Sequence, residues 1–289
     1  MHKLVEEYKA SLKDTLVEET VDLFLFRPIA FGIVKLIYRF PITPNQISFL
    51  SMLTGIVSGI FFALGDPGSF MCAGILYALT HILDCCDGMV ARLKKNGTPM
   101  GRIIDGWVDY ITSVAVYTGL LIGLLRGSFQ LPLNPWLMMI PASISLALHC
   151  MMVDYYRHEF MAHALGKTNP IQEDRKIFSA ELEKLKKKKG KYIEKLMIIF
   201  YLHYYTKLQV RKTSKKRKYH KQQYYQANKL LLSLWNWIGL ATHIFVLIAA
   251  ALLYEPMIFF YYILGLANLW MLVVGIIQIR TNKRVLRGL

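Results

Sequence analysis

Apolar and polar residues segregate into long blocks along this chain of 289 residues. Runs of about twenty apolar residues, enough to cross a bilayer as helix, fall near 46–65, 70–92, 101–125, 134–156, 229–253 and 257–279. The pattern predicts an all-α integral membrane protein with six transmembrane helices. Residues 20–40 are apolar too, but short, and Arg27, Pro28 and Lys35 interrupt them. They are expected to form an N-terminal interfacial amphipathic helix. The alternative, a seventh span, places the two termini on opposite faces, against the charge pattern. Four segments follow: 1–40, N-terminus and interfacial helix; 41–160, a membrane core of four spans; 161–228, a basic cytoplasmic insertion; and 229–289, the last two spans and tail.

The first span has a readable start. Thr43 as N-cap, Pro44 at the first helical position and Gln46 at the third make a capping box. Such a start directs backbone N–H groups and a positive dipole end outward, where a phosphate could use them. A merely well-capped helix is the plainer reading.

Charge fixes an expected orientation. The chain is 54% hydrophobic and carries a formal charge of +16. Between Lys167 and Lys221 stand 18 Lys+Arg against 5 Asp+Glu, including Lys186 to Lys189 and Lys215 to Lys218. Arg92, Lys94, Lys95 and Arg102 flank the turn between the second and third spans, and Lys283, Arg284 and Arg287 close the chain. Opposite them, Gly65 to Ser69, Arg126 to Asn134 and Tyr254 to Pro256 are short and nearly uncharged. Basic ends belong on the cytoplasmic side, so both termini are expected inside.

Basic clusters beside a bilayer gain about 1 kcal/mol per charge from anionic lipid. Residues 191–206 are expected to lie on that surface as an amphipathic helix. Tyr219, Tyr224 and Tyr225 could stack bases, but a neighbouring membrane favours lipid over nucleic acid as partner, and a solvated loop is the bland alternative. Met1 to Glu19 is charged and lacks the apolar core of a signal peptide, so the first span is expected to act as its own signal. Cys72, Cys85, Cys86 and Cys150 show neither zinc spacing nor a disulfide framework and read as reduced, packed residues.

The candidate chemistry lies in the second and third spans: Asp84, Asp87, Gly88, Ala91 and Arg92, then Gly101, Asp105 and Asp109. On helices these spacings put each group on one face, and a short turn near Lys94 to Pro99 lets the two faces meet. Four carboxylates at a membrane edge are costly unless neutralised. Their oxygen-only chemistry favours Mg2+ or Mn2+ over zinc. Gly88, Ala91 and Gly101 strip bulk from the acidic face, either for a ligand or for close helix packing.

These eight residues match D-x2-D-G-x2-A-R-x8-G-x3-D-x3-D at every defined position, and the stretch resembles the signature of the CDP-alcohol phosphatidyltransferases. The resemblance implies that a CDP-linked lipid donor passes a substituted phosphoryl group to a small polar alcohol such as serine, glycerol phosphate, inositol or inositol phosphate, with release of CMP. It further implies Asp84, Asp87, Asp105 and Asp109 as metal ligands, Asp109 as general base, and a homodimer. Asn45 and Ser48, in a P-N-x-x-S element, join Gly88, Ala91, Arg92 and Gly101 as expected CDP contacts. Arg157 is a candidate for an anionic acceptor, or a plain helix-end anchor. His149 and His158 are expected to be structural. The competing readings are a reversed-role relative that carries a CDP-linked head group to diacylglycerol, a cation transporter, and a non-catalytic lipid-binding scaffold.

Overall fold

In this computed structural model the described residues are 2–13, 16–166, 170–186, 190–205 and 219–286. Among them the chain is helical, without strands. Helices α1 (His2–Ser11) and α2 (Arg27–Ile37, entered through a π-helical turn Asp22–Phe26) precede the spans. The first four spans are α3 (Pro44–Leu64), α4 (Pro67–Leu93), α5 (Pro99–Arg126) and α6 (Pro135–His163). Then come α7 (Pro170–Lys186) and α8 (Tyr192–Phe200, with a π-helical turn Tyr201–Tyr205). The last two spans are α9 (Lys221–Asn236) with α10 (Leu240–Leu252), and α11 (Pro256–Phe260) leading through a π-helical turn Tyr261–Leu266 into α12 (Ala267–Leu286). Six of these helical stretches are long and apolar enough to cross a membrane.

Span boundaries follow local chemistry. Thr43 accepts from Gln46 N while Thr43 N donates to Gln46 Oε1 at 2.9 Å, the expected capping box. Asp66, Thr98 and Asn134 cap α4, α5 and α6 through a side-chain oxygen that accepts from Ser69 N, Gly101 N and Trp136 N, each followed by proline. Side-chain caps and a proline with preset φ stop the chain from extending these helices backwards.

Helices α3, α4 and α5 form the tightest part of the bundle. A Cβ on Gly119 would overlap the Gly59 carbonyl, and one on Gly123 would overlap that of Phe62, so α3 and α5 meet backbone to backbone. Tyr77, Cys86, Met89, Val116 and Leu120 fill the core between them. Phe49, Ile60, Ile75, Ile140, Leu272 and Ile276 point outward on the spans, as a lipid-facing surface requires.

The fifth span departs from the unbroken helix expected over 229–253. It starts earlier, at Lys221, and breaks between Asn236 and Leu240. The N-terminal helix α2 exists and packs Ala30, Phe31 and Val34 against the bundle. Phe24, Ile29 and Leu36 are exposed, so apolar residues occupy both its packed and its open faces.

Within the basic insertion, α7 and α8 bury Phe178, Leu185 and Ile198 together with Ile103 of α5. This part of the insertion is docked on the core, while Tyr192, Leu196 and Ile199 remain exposed. The lysine run 215–218 and most of the run 186–189 lie outside the described residues. All four cysteines are free; Cys85 and Cys86 are buried as expected, but Cys72 is exposed on the outer face of α4.

Candidate active site

Helices α4 and α5 bring the acidic motif together at one end of the bundle. Their connecting turn closes because Lys95 takes a left-handed conformation (φ 51°), letting Asn96 N donate to the Ala91 carbonyl at 3.2 Å. Lys94 Nζ then donates to the Phe40 and Ile42 carbonyls at 2.7 and 3.1 Å, fixing this turn to the linker before α3.

Carboxylate oxygens of Asp84, Asp105 and Asp109 lie within 4.8 Å of one another. Among the described residues Asp105 Oδ1 is buried without a hydrogen-bond partner. A buried acceptor of this kind costs about 1–3 kcal/mol, and three converging carboxylates repel one another. A hard divalent cation fits both conditions, because it takes oxygen donors and removes the repulsion. Asp87, the fourth expected ligand, is not part of this group; its buried carboxylate accepts from the Ser48 hydroxyl of α3 in a very short hydrogen bond.

The other expected contacts arrange themselves around the carboxylates. Asn45 Oδ1 lies over Gly101, where an added Cβ would come within 3.2 Å of it. The guanidinium of Arg92 lies over Gly88, with Nη2 3.2 Å from where a Cβ would stand. Both motif glycines therefore make room for a polar side chain of the site itself. Ala91 lies in the last turn of α4 and supplies the turn carbonyl already described. Beside Asn45, an open groove of about 840 Å³ runs between α2 and α3, lined by Ile33, Ile37, Ile42, Ile47, Phe49 and Leu50.

An N-terminal strap, of which residues 11–13 and 16–22 are described, completes one wall of this region. Arg92 Nε donates to the Ser11 carbonyl at 2.5 Å. Lys13 and Arg92 supply the positive field at Asp105. Glu18 pairs with Arg27 at 2.8 Å, and its backbone carbonyl accepts from Asn236 Nδ2 at 2.9 Å. Glu19 accepts from Ala241 N at 2.8 Å, capping α10 at the break in the fifth span, and pairs with Arg157 at 3.3 Å. A Cβ on Gly239 would overlap this carboxylate, so glycine lets Glu19 sit against the break. Burial holds the Glu19 carboxyl above the usual glutamate range, although Arg157 and the Ala241 N–H pull against it.

Arg157 also bonds Asp154 at 3.1 Å, so the candidate acceptor residue is engaged by two carboxylates of the chain. His149 is fully buried and bonds His243 and Asn268, joining the last three spans structurally. The contributions of Ser11, Lys13, Glu18 and Glu19 were not foreseeable from spacing. The acidic pair Glu18-Glu19 ahead of a basic helix was the only signal in the sequence.

The profile of the family described as CDP-alcohol phosphatidyltransferase matches residues 41–210, more than half of the chain. This chain belongs to the CDP-alcohol phosphatidyltransferase family. Membership in this family, together with six apolar spans, points to an integral membrane protein. It is 33% identical over 85 residues to the phosphatidylinositol phosphate synthase of Corynebacterium glutamicum, covering 29% of this chain and 38% of that one. It is 38% identical over 74 residues to the bifunctional IPC transferase and DIPP synthase of Archaeoglobus fulgidus, covering 24% and 14%. With the archaetidylinositol phosphate synthase of Pyrococcus horikoshii it shares 28% identity over 82 residues, covering 28% and 42%. The matched segments thus span less than half the length of each of these phosphatidyltransferase relatives.

Proposed function

We propose that the protein transfers a phosphatidyl group from CDP-diacylglycerol to a small polar alcohol, with inositol phosphate as the first acceptor to test. The convergence of Asp84, Asp105 and Asp109 around the orphaned Asp105 oxygen carries this reading. These three side chains would hold Mg2+ or Mn2+. When bound, such an ion supplies charge neutralisation at the donor diphosphate.

The chain's own residues do the rest. Asn45 and Gly101 accommodate the cytidine end of the donor, with Gly88 and Ala91 leaving space along the motif face. Arg92 turns from the Ser11 carbonyl to the phosphates, where a guanidinium makes paired bonds. Ser48 holds Asp87 against α3 so that the acidic face keeps its shape; Asp87 is a further ligand if that bond opens. Acyl chains lie in the apolar groove between α2 and α3, whose lining suits hydrocarbon.

Asp109 takes the proton of the acceptor hydroxyl. The alcohol oxygen then forms a bond to the lipid-bearing phosphorus, the phosphoanhydride P–O bond breaks, and CMP leaves. Arg157 binds the anionic acceptor by exchanging one of its carboxylate partners for phosphate. The relatives' names, all inositol phosphate or IPC and DIPP synthases, support that acceptor class. The charge pattern supports a cytoplasmic site with both termini inside, and the basic insertion supports contact with anionic lipid. A homodimer belongs to the same reading.

The test is CMP release by the detergent-solubilised protein with Mg2+ and CDP-diacylglycerol, across serine, glycerol phosphate, inositol and inositol phosphate. Release is expected with inositol phosphate, falling by about 10²–10⁴-fold in Asp109→Asn, the usual contribution of a positioned base. CDP binding without release across this panel would overturn the donor assignment.

A further inference from the structure

We propose a second metal site, built from Asp22, His81 and Cys85, of the type that takes Zn2+ or Co2+. One donor atom from each lies within 4.8 Å of the others. His81 and Cys85 stand one turn apart on α4, the i, i+4 spacing that puts two side chains on one helix face. Asp22 reaches them from the π-helical turn before α2, and His81 Nε2 donates to its Oδ1 at 2.8 Å. The side chains of His81 and Asp22 are 10% and 14% exposed and Cys85 is buried, so the group is sheltered from bulk water.

The donor chemistry separates this site from the three-carboxylate cluster. One nitrogen, one sulfur and one oxygen are the ligand types of zinc, and three protein ligands with a water make its four-coordinate form. Metal–ligand bonds of about 2.0–2.3 Å are reached from the present spacing by small side-chain rotations and a slight opening of the His81–Asp22 pair. Mg2+ has little affinity for nitrogen and sulfur, so the two sites discriminate by softness. Phe26 packs its ring edge against His81 with centroids 4.6 Å apart and fixes the imidazole plane. Cys86 is differently employed, its thiol directed at the Ala30 carbonyl.

Occupied, the site staples the N-terminal strap to α4 at the residue next to Asp84. Its metal would therefore restrain the wall of the acidic cluster without entering it.

The test uses the full chain, purified in detergent, stripped of metal and supplied with excess Mg2+. Titration with Co2+ is expected to give a thiolate-to-cobalt charge-transfer band with one equivalent bound, displaced by Zn2+. Cys85→Ser should remove the band, and Asp22→Asn should weaken cobalt binding by at least about tenfold. Cys86→Ser and Cys72→Ser should retain it, and a thermal melt matching the parent establishes that Cys85→Ser is folded. Absence of the band at saturating Co2+, or its persistence in Cys85→Ser, would show that His81 and Asp22 form only a hydrogen-bonded pair and would overturn the proposal.

Discussion

Ser48 illustrates how a single residue can be legible in kind and not in role. Its place in P-N-x-x-S marks it for the site, but only the fold shows its hydroxyl donating to Asp87. Removing it leaves a buried carboxylate short of a partner. Ser48→Ala is expected to cost about 1–3 kcal/mol, read as a lower thermal midpoint in detergent. Glu19 gives a pH signature. Its carboxyl is harder to ionise folded than unfolded, so the folded state holds the proton more tightly. Stability from this group should fall as pH rises from the ordinary glutamate value of about 4.3 into the raised range, then level off. Thermal midpoints measured against pH should show that slope in the parent and a flatter one in Glu19→Gln. The eight motif residues could be read from spacing because each helix face is set locally. The strap contacts could not, since Ser11–Arg92 and Glu19–Ala241 join distant segments that no periodicity links.

At the level of elements, the cap and proline at Thr43–Pro44 announced the start of the first span, and apolar length announced the spans themselves. The break in the fifth span was hidden because hydropathy runs smoothly through Trp237 and Ile238, with Gly239 the lone irregularity. What opens the helix there is tertiary: the Glu19 carboxylate takes the N–H of Ala241 that an unbroken helix would have used itself. The close crossing of α3 and α5 yields a sharper prediction. Gly119→Ala would push a methyl into the Gly59 carbonyl, whereas the same change at Gly106 meets nothing within 4 Å. Overpacking at the first should destabilise by about 1–3 kcal/mol. The second should be neutral or stabilising by up to about 1 kcal/mol. Unfolding of the two variants side by side in detergent distinguishes them.

For the whole molecule, the N-terminal strap is a tie between the acidic core and the last two spans. Deleting residues 2–21 would leave Arg27 without its partner Glu18 and Arg157 without Glu19. Breaking the buried Arg27–Glu18 pair one-sidedly costs about 3–5 kcal/mol, while Arg157 keeps Asp154. The midpoint of thermal unfolding should therefore drop by at least about 5 °C, and tryptic cleavage of the truncated protein should accelerate. The docking of α7 and α8 on Ile103 similarly shows that part of the insertion belongs to the body of the protein, which its charge had concealed.

The same tie constrains how the chain is made. Glu18 and Glu19 are synthesised ahead of every span, yet Asn236 and Ala241, to which they bond, follow more than two hundred residues later. The acidic motif can reach the bilayer with four spans inserted while its N-terminal wall still lacks these anchors. Nascent chains arrested before the fifth span should therefore keep an exposed, protease-sensitive N-terminus, and only synthesis through Ala241 should close it. The strap is in this sense among the last parts of the fold to close.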